Sequence, residues 1–471
     1  MSINMMVNRR QFLQSSGMGF GAVALNWMLH QSASGASGRQ VLERPHHAPR
    51  AKSVIFLMQS GGASQMDLFD PKPVLQRMGG KTYVDKVEMF QPGSETNVLL
   101  GSPWTFKKYG DCGMDFSDAL PHTASHANDI CMVRSMYTEH NNHGEALVMM
   151  TSGDIFPGRP TWGSWISYGL GSENDNLPAF VVLRDPDGYP GTGATLWQNG
   201  WLPAVYRGTE SNSQGSPLLN LAPHKQLPTG TRETDLEFLQ KFNRQHQEKY
   251  PQNSLLDARI QNYEMAARMQ VAAMDILDIE QETESTKKLF GLDNANTAGY
   301  GRRLLMARRM VESGVRFVQV FAGKGNPWDS HTNVDTEIKD ISGKTDLPVA
   351  GLLTDLKQRG LLDETIIVWT GEFGRLPVSQ NGKGRDHNRN GFSLLLAGGG
   401  FKPGYIHGRT DDVGYKAVEA RVSVPDLFAT IMNQLGIDHD ELTYEHHGRS
   451  ETPTDSVVTD AAVVHELLGN V

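Results

Sequence analysis

The 471-residue chain carries 53 acidic against 44 basic side chains, a formal charge of −9 at pH 7. That balance argues against a nucleic-acid surface, which needs basic patches, and two cysteines are too few for a disulfide scaffold. Hydrophobic residues at 38% and charged residues at 21% describe an ordinary globular protein, while 49 Gly and 23 Pro predict many long loops. Cys112 and Cys131 either pair or stay as separate thiols.

Near the start, Asn8-Arg9-Arg10-Gln11-Phe12-Leu13 precedes a weakly apolar run from Gly17 to Leu29 and small residues from Ser32 to Gly38. Two adjacent arginines before a short, Gly-rich apolar stretch resemble a twin-arginine export signal. Residues 1–38 are therefore read as a signal segment. The implied partner is the twin-arginine export machinery and the destination periplasmic or extracellular. The apolar run is shorter than the roughly 20 residues that span a bilayer, so no stable membrane span is expected.

Lys52 to Ser60 is the first strong strand, an apolar run suited to a central parallel position. It ends at Gly61-Gly62, where the backbone can turn tightly and approach a ligand. Asp67 follows as a candidate metal ligand, and Asp70-Pro71 closes a turn. Residues 75–128 show no clear period and read as a surface excursion. Ile130 to Met136 is a strand leading to His140-Asn141-Asn142-His143, after which Ala146 to Met150 is helical and Gly153 stops the helix. Free amides at that helix start attract an anion, with Asn142 and His143 beside it.

Leu177 to Leu183 is a further strand. Arg184 to Thr231, with Trp197, Trp201 and Tyr206, reads as a packed lid or substrate wall. Two helices follow, marked by Leu236, Leu239 and Phe242 and then by apolar residues from Leu256 to Leu277 at spacings of three and four. Gly301 to Glu312 is a helix whose arginines form a solvated or salt-bridged face. Val315 to Phe321 is a strand ending at Trp328-Asp329-Ser330-His331, where an Asp and a His two apart can share one metal.

A helix from Val349 to Arg359, closed by Gly360, leads into the strand Ile366 to Thr370, buried on both faces. Glu372 and Arg375 lie just past its carboxyl end, the edge where open parallel sheets bind ligands. Gly384-Arg385-Asp386-His387 precedes the strand Phe392 to Ala397. A last helix runs from Val424, with Pro425 near its start and Gly436 at its end. The tail after His446 is polar and peripheral.

Together the twin-arginine start, Gly61 to Pro73, Trp328-Asp329-Ser330-His331, Glu372-Phe373-Gly374-Arg375 and Gly384-Arg385-Asp386-His387 resemble the exported family called domain of unknown function 1501. The resemblance implies an α/β fold of the alkaline phosphatase/sulfatase-like kind, a mostly parallel central sheet with helices on both faces. It further implies one domain over 45–450, with a loop and helical insertion at about 184–290 and a tail over 451–471.

The chain departs from that superfamily where Gln59-Ser60-Gly61-Gly62 replaces a metal-binding Asp after the first strand, and where Asn142 and His143 stand in place of a nucleophile. What remains is an exported, metal-dependent hydrolase of a sulfate or phosphate ester, a saccharide-linked one among the options, or else a non-catalytic ligand- or protein-binding member of the fold. Asp329, His331, Glu372 and His387 would hold one divalent ion (zinc, manganese or calcium, undistinguished), with Asp386 and Asp67 as further candidates. His143 would serve as base or oxyanion group, aided by Asn142. Arg375 and Arg385 would clamp the substrate's charge.

Overall fold

In the computed structural model, residues 42–174, 176–211 and 276–469 are described, together with scattered positions between 238 and 260. Eight strands form the main sheet: β1 (Ser53–Met58), β2 (Ile130–Met136), β3 (Phe180–Leu183), β4 (Thr209–Ser211), β5 (Phe317–Phe321), β6 (Thr365–Thr370), β7 (Phe392–Ala397) and β8 (Tyr405–His407). Their order across the sheet is β8-β2-β7-β6-β1-β5-β3-β4. Pairings of β1 with β5 and β6, of β3 with β4 and β5, and of β8 with β2 are parallel. Only β7 runs antiparallel, to both β2 and β6.

The apolar runs read from the sequence are central strands because both sheet faces are covered. Every residue of β1, β5, β6 and β7 is buried. Side chains alternate between faces, so Ile55 and Leu57 enter one core while Val54, Phe56 and Met58 enter the other. Each such fully buried aliphatic side chain contributes about 1.5–3 kcal/mol. Over the first face lie α3 (Ala295–Glu312) and α4 (Val334–Gln358); over the second lie α1 (His143–Ser152), α2 (Trp162–Leu170) and α5 (Val424–Gln434).

Several boundaries shift. The helix expected from Val349 is the last part of the 25-residue α4, which runs through Pro348. The helix expected from Ala146 begins at His143 and stops, as read, at left-handed Gly153 (φ 78°). Ser423 and Asp426 form a reciprocal capping box at the start of α5. The excursion over 75–128 contains the hairpin Phe106–Tyr109/Met114–Ser117.

The arginines of α3 take the salt-bridged of the two forms expected, Arg302 with Glu280 and Arg309 with Glu282. Arg308 is almost fully buried and pairs with Glu282 at 2.6 Å and Asp355 at 2.8 Å. The chain after 451 is not wholly peripheral: Leu467 is buried in the second core, and its carbonyl accepts from Lys402 N. Cys112 is exposed and Cys131 buried, both as free thiols. Residues 1–41 and most of 212–275 lie outside the described residues, and with them the signal segment and most of both insertion helices; of the first, 241–246 are helical, with Phe242 exposed rather than packed.

Candidate metal centre

Five neighbouring strands, β2, β7, β6, β1 and β5, deliver the site. Four are parallel, so the loops after them leave from one edge. Because β7 runs the other way, its approach segment begins at that same edge. This brings His387 to the loops that follow the other four. Residues 374–375 and 387–388 then pair as a short antiparallel ribbon, with Arg375 opposite His387.

At that edge His143, Asp329, His331 and His387 each offer one ligand atom, all within 4.8 Å of one another. The Asp329 carboxylate is the hub. Its Oδ1 lies 2.8 Å from His331 Nε2 and 3.4 Å from His387 Nε2, and its Oδ2 lies 3.2 Å from His143 Nε2. The two nitrogens His331 Nε2 and His387 Nε2 are 2.9 Å apart. A tetrahedral shell with bonds of about 2.0–2.1 Å places its donors roughly 3.3 Å apart. The four pairs just given, at 2.8–3.4 Å, lie close to that spacing.

The opposite ring nitrogens explain why all three imidazoles turn Nε2 inward. His143 Nδ1 donates to Glu372 Oε1 at 2.6 Å, His387 Nδ1 donates to the Asn141 carbonyl at 2.6 Å, and His331 Nδ1 donates to Gln380 Oε1. In the neutral ring each acceptor fixes the proton on Nδ1 and leaves the Nε2 lone pair facing the cluster. His143 Nε2 is buried with no hydrogen-bond partner, although Asp329 is near enough to attract it. Such an orphaned atom in a ring of donors fits a bound cation.

The surrounding charges are held rigidly. Glu372 is fully buried and accepts from Gly61 N at 2.9 Å and Gly62 N at 3.2 Å. Gly61 (φ 114°) cannot be replaced easily, since a Cβ there would stand 2.6 Å from Asp329 N. Arg375, also without exposure, donates to Asp329 Oδ1 at 2.6 Å and to the carbonyls of Gly61, Gly62 and Arg385.

Burial raises the Asp329 carboxyl, but the three imidazoles and the Arg375 charge outweigh it and hold it well below the usual carboxylate range. Burial lowers His143, yet its contacts with Asp329 and Glu372 prevail and push it up to about 9. His387 is pulled down to about 4, chiefly by burial and further by Arg375 and His143. Side chains of Asp329 and His331 keep 25% and 20% of their surface exposed, so the cluster opens to solvent on that side.

Of the residues singled out by sequence, Asp329, His331 and His387 converge, and His143 joins them in the place expected for Glu372. Glu372 stands behind His143, where it orients the ring. With Nδ1 on Glu372 and Nε2 facing the cluster, His143 has no free nitrogen to act as a base. Asp67 is fully buried and paired with Arg385 at 2.7 Å, away from the cluster. Arg385 spends its other donors on the carbonyls of Leu376, Pro377 and Leu100, and Arg375 is likewise enclosed, so neither faces open space. Asp386 accepts backbone amides from Phe90, Gln91 and His387. Asn142 is the N-cap of α1 without a side-chain cap bond. Asn141 and Gln380 were missed; a carbonyl and a lone Gln in a loop leave no pattern in sequence.

The family model described as protein of unknown function (DUF1501) matches residues 51–468. The chain belongs to this family. No curated protein matches the DUF1501 chain. Solved structures similar to it include the lipoteichoic acid synthase LtaP from Listeria monocytogenes, at 9% identity over 85% of this chain and 73% of that one, TM-score 0.33. Others are the PsFucS1 sulfatase from Pseudoalteromonas sp. (12%, 82% and 68%, 0.32) and the alkaline phosphatase of the Antarctic bacterium TAB5 (10%, 77% and 95%, 0.32). The sulfatase and alkaline phosphatase neighbours accompany the mostly parallel sheet with helices anticipated from sequence.

Proposed function

We propose that this DUF1501 chain is an exported, single-metal hydrolase of a sulfate or phosphate ester, with a saccharide ester as a candidate substrate. The observation that carries the reading is the set of three imidazoles, each anchored through Nδ1, presenting Nε2 with Asp329 around one point. His143, Asp329, His331 and His387 would hold the ion. A divalent cation in such a site polarises an ester oxygen and lowers the pKa of a water. Hydrolysis breaks the S–O or P–O bond, adds the water's oxygen to sulfur or phosphorus, and returns a proton to the departing alcohol.

The chain's own groups prepare this chemistry. Glu372 fixes the His143 ring, and Arg375 offsets the charge of Asp329 and holds its carboxylate in place. The first turn of α1 carries amides without intrahelical partners beside His143, and with the Asn142 side chain they favour an anionic group over a neutral one. No hydroxyl or thiol opens α1, which favours direct attack by water over a covalent intermediate. The test pairs metal content with hydrolysis of aryl sulfate, phosphate monoester and phosphate diester probes, in the parent and in Asp329→Ala/His331→Ala. Metal without turnover of any probe would favour a ligand-binding member of the fold.

A further inference from the structure

The segment 90–92 lies against the cluster. The Phe90 ring stacks on His387 with centroids 5.0 Å apart and planes 18° from parallel. Gln91 Nε2 lies 3.4 Å from His331 Nε2, the atom that itself sits 2.8 Å from Asp329 Oδ1. The carbonyl of Pro92 accepts from Gln380 Nε2 at 2.9 Å, and the other end of that amide holds His331 Nδ1. Fully buried Asp386 ties the segment down: one oxygen accepts from Phe90 N at 2.7 Å and Gln91 N at 2.8 Å, and the other accepts from His387 N at 2.8 Å. One carboxylate thus sets the backbone of a ligand and of the residue facing it.

This placement puts another neutral polar side chain on the cluster, beside the four donors. A carboxamide's two heads are nearly isosteric and exchange by a half-turn about the last torsion. With no metal ion among the imidazoles, the N–H end can face the His331 lone pair. With a metal ion among the imidazoles, the oxygen end is favoured, since a neutral amide oxygen can bind a hard divalent ion such as manganese or calcium. Lacking charge, it binds more weakly than imidazole or carboxylate and gives way to an anionic oxygen.

We infer that Gln91 supplies a displaceable fifth donor, its side-chain oxygen, to the metal centre. The inference rests on the metal reading above. It assigns Gln91 as the group that an entering sulfate or phosphate ester must replace, so that a neutral ester of equal size fails to displace it.

Cobalt(II) is the probe. The full-length mature protein, loaded with Co(II), is compared with Gln91→Leu by visible absorption and by titration with inorganic phosphate. The parent should bind cobalt and show d–d bands. Gln91→Leu should bind cobalt in equal amount, with bands shifted and several-fold more intense as the coordination number falls, and should respond to phosphate at several-fold lower concentration. Identical spectra and identical phosphate titrations in the two loaded proteins would overturn the role of Gln91 and leave the metal centre standing. Absence of cobalt from the parent would overturn the metal reading beneath it.

Discussion

His143 carries the sharpest consequence at the scale of single residues. Its partner Glu372 touches none of the convergent donor atoms, yet orients one of them and is braced by two backbone amides. Glu372→Gln should therefore keep the protein folded and weaken metal affinity by about 10–100-fold, as read by competition with a chelating dye. Affinity unchanged by that substitution would show that His143 needs no orienting carboxylate. The pH dependence follows from the same pair. Without metal, His143 holds its proton up to about pH 9, and a metal must displace it to reach Nε2. Affinity should thus climb by about tenfold per pH unit below that value and flatten above it. Near pH 4, where His387 also protonates, the slope should steepen. A flat profile from pH 6 to 8 would contradict the assignment of His143 as a ligand.

Elements explain what was legible in the sequence and what was not. Ile366 to Thr370 and Lys52 to Ser60 were readable because burial on both faces demands an unbroken apolar run. Asp329, His331 and His387 were readable because they lie in the loops that leave or enter such strands. The direction of β7 was not readable, since periodicity carries no sign, and it is that direction which brings His387 to the shared edge. The exchange of roles between Glu372 and His143 was hidden for a related reason. Which of two polar residues stands in front depends on the Gly61-Gly62 turn, whose amides draw the carboxylate inward. Gly61→Ala tests that turn. The new Cβ meets the backbone of Trp328 and Asp329 in a region of φ that L-residues avoid, so a loss of about 2–3 kcal/mol in urea unfolding is expected. A cost near zero would mean that the loop carrying Asp329 can move aside.

At the scale of the whole molecule, the export reading rests on residues 1–38, outside the described part of the chain. Among the described residues no helix is long and apolar enough to cross a membrane. Arg9→Lys/Arg10→Lys should retain the protein in the cytoplasm, as followed by cell fractionation; unimpaired export would point to another route. The family match over residues 51–468 begins beyond that segment, so the folded unit and its address are separate questions.

The central claim is that four residues drawn from three separate loops hold one ion. Metal content of the mature protein, purified without chelator, beside Asp329→Ala/His331→Ala tests it most directly. Close to one equivalent of divalent metal is expected in the parent, and loss of it in a variant that remains folded. No metal in the parent, and none taken up after addition of zinc, manganese or calcium, would mean that His143, Asp329, His331 and His387 are not a metal site.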